Sequence, residues 1–203
     1  RMPQFKKVNK PIFIMGTGRS GTTILGMLLS MHKDVGFLNE PKALWHSIYP
    51  EEDIIGNYTR CPARYRLGIT DATAEVCSHA HHLFGAYLFF VASNRVVDKY
   101  TEHIFRIPFI RTIFPDAKFV FLVRNGWDTC ASINVWSKPY NWWGINNRKW
   151  KLMVEQLVKT DLDLKELLSC IERLDNYLDM AVVEWIVTMR EGLRQKQQHA
   201  NCI

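Results

Sequence analysis

Residues 16–23 read GTGRSGTT, a glycine-rich string whose backbone suits an anionic ligand. Glycines at positions 16, 18 and 21 let the chain approach a ligand closely, and successive N–H groups in such a turn point toward its centre. The apolar residues that follow the string indicate a helix, whose N-terminus adds partial positive charge. The string therefore predicts a binding site for a phosphate or sulfate group.

The string departs from the phosphate-binding loop of nucleoside triphosphatases. The pattern GxxxxGK[ST] uses its lysine to reach the β- and γ-phosphates, whereas Thr22 occupies that position here and Arg19 comes earlier in the loop. A second strand-like run, residues 118–123, leads into Arg124, a cation where an aspartate would bind Mg²⁺. These residues indicate a site that neutralises anions with side chains, and we expect no metal requirement.

Two motifs together resemble those of the sulfotransferases that use 3′-phosphoadenosine 5′-phosphosulfate (PAPS). Residues 18–23 are similar to the family's 5′-phosphosulfate loop, and Arg124, followed eight positions later by Ser132, is similar to its 3′-phosphate motif. The resemblance implies transfer of a sulfuryl group from PAPS to a hydroxyl or amine, with 3′-phosphoadenosine 5′-phosphate (PAP) as the product. The donor-binding residues that it implies are Gly18, Arg19, Ser20, Gly21, Thr22, Thr23, Arg124 and Ser132.

The positions of two further residues are similar to those in the tyrosylprotein, bacterial and carbohydrate sulfotransferases in particular. Glu40 stands 21 positions after Arg19, and Lys99 precedes the Phe114-Pro115 pair. The resemblance implies that Glu40 is the general base, that Lys99 contacts the sulfuryl group or the bridging oxygen, and that Arg19 stabilises charge on that oxygen. Plainer interpretations stay open: Glu40 also fits a solvated or helix-capping carboxylate, and Lys99 a solvated lysine at a strand end.

Two other classes of function make different demands on the sequence. A P-loop kinase with a degenerate phosphate loop requires a lysine near Thr22 and a strand-end aspartate for Mg²⁺, and neither is apparent. A nucleic-acid-binding module requires cations clustered on one face. The formal net charge is +6 and the isoelectric point is near 9.1, but Lys6-Lys7 and Arg148-Lys149 are isolated pairs. We expect no nucleic acid partner and keep the kinase as the alternative.

Short apolar runs alternate with helical patterns through the first two thirds of the chain. Parallel neighbours in a sheet need crossover connections, and helices supply them. The pattern predicts an α/β fold, a doubly wound parallel sheet like that of P-loop NTPases with flanking helices. The predicted strands cover residues 11–15, 95–98 and 118–123, and the predicted helices cover residues 22–32, 108–114 and 127–136.

The remaining segments complete a single predicted domain over residues 1–203. Apolar stripes at helical spacing after Ser137 predict a helical C-terminal part, and residues 48–67 are expected to form a long surface loop. The family resemblance implies one more strand and a loop that closes over the nucleotide. No such strand pattern follows Met189, so we expect the C-terminal strand and cap to be missing from this chain.

The acceptor, the compartment and the oligomeric state stay open at this point. The most apolar stretch, residues 83–92, is short of the roughly 20 residues that a membrane-spanning helix needs, so we expect no span in this chain. The resemblance implies a hydroxyl on a carbohydrate, a protein tyrosine, a lipid or a small molecule. It implies the cytoplasm for a bacterial enzyme and the Golgi lumen for a trimmed eukaryotic one. The aromatic residues Trp136, Tyr140, Trp142 and Trp143 fit either an acceptor pocket or core packing.

Overall fold

A four-stranded parallel sheet forms the centre of the protein in a computed structural model that describes residues 5–166 and 168–198. Its spatial order is β2-β3-β1-β4, and both strands beside β1, β3 and β4, run parallel to it, which requires crossover connections. This confirms the predicted doubly wound α/β fold. The strands are β1 (Ile12–Gly16), β2 (Val35–Asn39), β3 (Arg95–Lys99) and β4 (Lys118–Leu122).

Helices connect the strands and make up the C-terminal part, as the sequence predicts. The helices of the sheet region are α1 (Thr22–Ser30), α2 (Lys42–Ile48), α3 (Ala74–Phe90), α4 (Ile107–Ile113) and α5 (Gly126–Ser137). The C-terminal helices are α6 (Arg148–Met153), α7 (Leu162–Lys165), α8 (Leu168–Ile171) and α9 (Tyr177–Gln198), with a π-helical turn over Val154–Val158. Among the described residues, no helix has both the length and the apolar character that crossing a membrane requires.

The strand register brings four chain connections to one edge of the sheet. Ile14 of β1 lies opposite Lys99 of β3 and Val120 of β4, and Asn39 of β2 lies opposite the same Lys99. The carboxyl ends of the parallel strands are therefore level with one another. Ligands in open α/β sheets bind outside these ends, so the loops leaving this edge are where a site is expected.

The edge strand β2 was not predicted. Its five residues include Gly36, and a short strand with a glycine carries a weak pattern. Packing explains both glycines nearby: a Cβ on Gly36 would lie 2.8 Å from the ring of Tyr87, and a Cβ on Gly26 of α1 would lie 2.3 Å from the ring of Phe37. The strand thus depends on pairing with β3 and on side chains from distant segments.

The prediction of a long loop over residues 48–67 is confirmed, since the segment after α2 contains only a 3₁₀ turn at Pro50–Glu52, but the loop lies only partly on the surface. Ile54, Tyr65 and Leu67 are all at most 2% exposed and pack into the core, whereas residues 57, 58 and 60–62 are exposed. The buried Arg106 anchors the start of the loop: it donates from Nη1 to Glu52 Oε2 and from Nη2 to the Glu52 carbonyl oxygen, both at 2.8 Å. The sequence of residues 48–67 does not reveal this burial, because an ion pair with Arg106, which follows β3, produces no periodic pattern within the segment.

Replacement of Arg106 by leucine tests this anchor. We expect the free energy of unfolding to fall by about 3–5 kcal/mol, because removing one partner leaves the Glu52 carboxylate buried and unpaired. Urea unfolding followed by far-UV circular dichroism measures the change. Arg95→Ala, at an exposed position, is the matched control. Equal unfolding free energies for the two variants would show that the pair does not anchor the segment.

Candidate functional site

The glycine-rich string forms a tight loop between β1 and α1. Gly16 and Gly21 have φ of 149° and 97°, values that favour glycine, and Gly21 precedes the first turn of α1 without a side-chain cap. Thr17 Oγ1 and Ser20 Oγ are buried and have no hydrogen-bond partner among the described residues. Because buried hydroxyls are normally hydrogen-bonded, these two atoms and the free N–H groups of the helix start fit an anionic ligand.

Arg124 and Ser132 lie beside this loop, and Arg19 joins them. Arg124 follows β4, and its Nη1 donates to the carbonyl oxygen of Arg19 at 2.9 Å. Arg19 Nε donates to Ser132 Oγ at 3.1 Å, and its guanidinium lies 3.9 Å from the ring centre of Trp136. The structure therefore brings the residues predicted for the two phosphates of the donor into one continuous group.

The contact between Arg19 and Ser132 does not match the separate roles that the family resemblance implies for these two residues. The resemblance assigns Arg19 to the bridging oxygen and Ser132 to the 3′-phosphate, yet here the two side chains are hydrogen-bonded to each other. Arg19 also adopts the left-handed region with φ of 68°, which turns its carbonyl oxygen toward Arg124. A bound nucleotide must share or replace the hydrogen bond between Arg19 and Ser132.

Glu40 and Lys99 form an ion pair on the opposite side of the cleft. The Glu40 N–H donates to the Lys99 carbonyl oxygen at 2.7 Å, and the Lys99 ammonium contacts Glu40 Oε1. Lys42 Nζ lies 3.3 Å from Glu40 Oε2, and Lys99 is buried. The two residues predicted as general base and sulfuryl contact are thus neighbours, held together by the ends of β2 and β3.

The charge state of Glu40 follows from these partners. Burial by itself raises the pKa of the Glu40 carboxyl, but the positive charges of Lys99 and Lys42 outweigh it and hold the pKa below the usual value. Glu40 is therefore a carboxylate at neutral pH. It can accept a hydrogen bond from a hydroxyl, and it becomes a stronger base when either ammonium group is drawn away.

A buried charge network at the back of the cleft was missed by the sequence reasoning. Lys149 Nζ lies 2.6 Å from Glu184 Oε1 and 3.4 Å from Glu102 Oε1, and Thr101 Oγ1 donates to Glu102 Oε2 at 2.6 Å. Despite its burial, Glu102 has a pKa lowered to about 2, chiefly by Lys149. The only signal in the sequence was the Glu184-Trp185 pair, a faint further resemblance to the sulfotransferases, which gave Glu184 no role.

These groups enclose one cleft of ≈ 660 Å³, within the size range of small-molecule sites. Four aromatic residues fitted either an acceptor pocket or core packing. Trp136, Tyr140 and Trp142 line the cleft, whereas Trp143 is 1% exposed and belongs to the core. The described residues include no cluster of three or more histidine, cysteine, aspartate or glutamate side chains arranged to hold a metal ion. The further lining residues include Gly18, Gly21, Thr22, Thr23, Asn39, Lys42, Asn57, Thr101 and Asn141.

The fold and the cleft together define a P-loop-like α/β protein with a candidate anion-binding site at the carboxyl edge of its sheet. The profile of the sulfotransferase family matches residues 11–176, which is most of the chain. The protein therefore belongs to the sulfotransferase family.

A curated protein is similar to part of this chain. Nodulation protein NoeE of Sinorhizobium fredii (strain NBRC 101917 / NGR234) is 24% identical over 142 residues, which cover 63% of this chain and 32% of the relative. The chain thus spans about a third of the length of this curated relative.

Two solved structures share the fold. The sulfotransferase domain from the curacin biosynthetic pathway has a TM-score of 0.54 and 15% identity, with 98% of this chain and 67% of that chain covered. The sulfotransferase domain of the Synechococcus PCC 7002 olefin synthase has a TM-score of 0.52 and 17% identity, with 100% and 68% covered.

The lowered pKa of Glu102 predicts a specific acid response. The folded-state pKa lies below the ordinary value of 4.5, so the ionised carboxylate stabilises the protein above pH ~4.5, and this stabilisation is lost as pH falls toward about 2. In Glu102→Gln, the free energy of unfolding should fall less steeply with acid than in the wild type, by on the order of 3 kcal/mol across that window. Urea titrations between pH 7 and pH 2 measure the difference. Parallel curves would contradict the assignment.

Proposed function

We propose that the protein transfers a sulfuryl group from PAPS to a hydroxyl or amine of an acceptor. One observation carries the proposal. The loop formed by residues 16–23, called the phosphate loop below, has two buried hydroxyls without partners, and Arg124 and Ser132 lie directly beside it. A nucleotide with phosphates on both its 5′ and its 3′ side can contact the loop and the neighbouring Arg124 and Ser132 at once. Membership of the sulfotransferase family supports the same donor.

In this proposal the donor is held by backbone and side chains of the phosphate loop and of α5. The N–H groups of residues 18–23 and the hydroxyls of Thr22 and Thr23 bind the 5′-phosphate. Arg124 and Ser132 bind the 3′-phosphate, and the product PAP keeps both contacts. Arg19, hydrogen-bonded to Ser132 in the free protein, turns toward the bridging oxygen as the nucleotide takes over its partner.

The transfer itself is an in-line displacement at sulfur. The acceptor oxygen forms a bond to sulfur while the bond from sulfur to the bridging oxygen breaks, and PAP leaves with that electron pair. Glu40 receives the acceptor proton. Lys99, now paired with Glu40, is attracted to the charge on the leaving oxygen, and its departure raises the proton affinity of Glu40 as the proton arrives.

The acceptor approaches from the side of Glu40, where Asn39, Asn57, Lys42 and Asn141 also line the cleft. A hydroxyl on a carbohydrate, a protein tyrosine, a lipid or a small molecule satisfies the chemistry of Glu40. A panel of these four acceptor classes with labelled PAPS identifies which one is used.

Ligand-induced stabilisation distinguishes the proposed donor from that of a kinase. PAP should raise the melting temperature, since a ligand at about 100 times its Kd adds about 2.7 kcal/mol to the stability of the native state, while Mg-ATP should add little. Arg124→Ala should lose the PAP shift, and Arg95→Ala, exposed and remote from the cleft, should keep it. A larger shift with Mg-ATP than with PAP would overturn the proposal in favour of a phosphotransferase.

Glu40→Gln tests the general base separately from binding. The variant keeps a hydrogen-bonding side chain but cannot take a proton, so the rate of sulfuryl transfer should fall by about 100-fold or more. Its affinity for PAP should stay close to that of the wild type, measured by titration calorimetry. Glu75→Gln, exposed at the start of α3, is the control for an unrelated carboxylate. Undiminished turnover in Glu40→Gln would remove Glu40 from the mechanism.

A further inference from the structure

The indole of Trp142 lies directly on the phosphate loop. A Cβ added to Gly18 would come within 2.2 Å of Trp142 Cη2 and 2.6 Å of Cζ2, so glycine at this position and the indole fit each other closely. Gly18 itself has an ordinary backbone conformation, since it is not among the residues with positive φ. The ring contact, not a strained backbone, therefore accounts for the absence of a side chain at position 18.

Two groups, the Glu184 carboxylate and the Lys149 ammonium, fix the orientation of this indole from behind. Trp142 Nε1 donates to Glu184 Oε2 at 2.7 Å, and the other oxygen of that carboxylate lies 2.6 Å from Lys149 Nζ. The same ammonium lies 4.6 Å from the centre of the Trp142 ring, within range of a cation–π contact. Glu184 lines a separate small space of ≈ 10 Å³ and is not among the residues that line the large cleft.

Lys149 also connects this support to the opposite wall of the cleft. Its ammonium lies 3.4 Å from Glu102 Oε1, and Glu102 stands three residues after Lys99 at the end of β3. The network therefore spans from α9, through the indole, to the phosphate loop on one side and to the β3 end on the other. Buried ionic groups are seldom needed for stability alone, because apolar residues of similar size serve as well.

We infer that Trp142 is a positioning residue for the phosphate loop, held in place by Glu184 and Lys149. The inference rests on the proposed function, since it concerns how the loop receives the donor. With the indole seated on Gly18, the N–H groups of the loop are fixed toward the anion before it arrives. A loop organised in advance loses less conformational freedom on binding, which increases affinity without a direct contact from Glu184.

Paired variants of Glu184 test the inference without altering the lining of the cleft. Glu184→Leu removes the acceptor of the indole N–H and leaves Lys149 paired with Glu102 alone. Its Kd for PAP should rise about tenfold, the scale of a lost hydrogen bond of 1.4 kcal/mol. Glu184→Gln keeps an acceptor for the indole N–H but turns its NH2 group toward the Lys149 ammonium, so its Kd should lie between those of the wild type and Glu184→Leu. Ile171→Ala, a buried residue of α8, controls for lost stability and should leave the Kd unchanged.

A second measurement needs no ligand. Gly18→Ala should lower the melting temperature of the wild type by about 4 °C or more, because the methyl group overlaps the indole. In a Trp142→Ala background the same change should cost little, so the two substitutions should be strongly non-additive. Additive effects would show that the indole does not hold the loop.

The outcomes separate the two proposals. If the wild type binds PAP and Glu184→Leu binds it as tightly as Ile171→Ala does, the positioning role is overturned while the donor stands. If the wild type does not bind PAP, the proposed donor is overturned, and the coupling between Gly18 and Trp142 alone decides whether the indole positions the loop.

Discussion

The close pairing of β1 with β4 is the constraint on which the site depends. Gly16 ends β1 opposite Leu122, and a Cβ at Gly16 would lie 2.5 Å from the Leu122 carbonyl oxygen, so the two backbones can approach this closely only with glycine. The phosphate loop starts from one of these strands, and Arg124 follows the other. Their contact, from Arg124 to the Arg19 carbonyl oxygen, is therefore fixed by the sheet rather than by flexible loops.

The distribution of charge divides the cleft into two functional sides. Lys42 and Lys99 are both paired with Glu40, so their positive charge is largely neutralised in the free protein. Arg19 and Arg124 make no ion pair with any carboxylate in the described part of the chain, and they contact a hydroxyl and a backbone carbonyl oxygen instead. The uncompensated positive charge thus lies where the proposed donor nucleotide binds, and the proton acceptor lies where the hydroxyl group must enter.

Local sequence determines one half of this arrangement and tertiary contacts determine the other. The glycine string, its flanking strand and helix, and Arg124 were predictable because a turn and a helix start need particular residues at fixed spacing. The buried network behind these residues was not predictable, because Trp142 contacts Glu184 and Lys149 contacts Glu102 across more than 40 positions of the chain. The edge strand β2 and the burial of part of the loop over residues 48–67 were missed for the same reason: neither carries a periodicity of its own, and packing against distant residues defines both.

The hydrogen bond between Arg19 and Ser132 keeps both side chains ordered in the absence of a ligand, which lowers the free-energy cost of binding. Both groups face an anion in the proposed complex, and in its absence each satisfies the other while Trp136 covers the guanidinium. Binding then exchanges one hydrogen bond for charge-assisted ones instead of ordering a free side chain. The hydroxyls of Thr17 and Ser20, by contrast, have no such partner among the described residues.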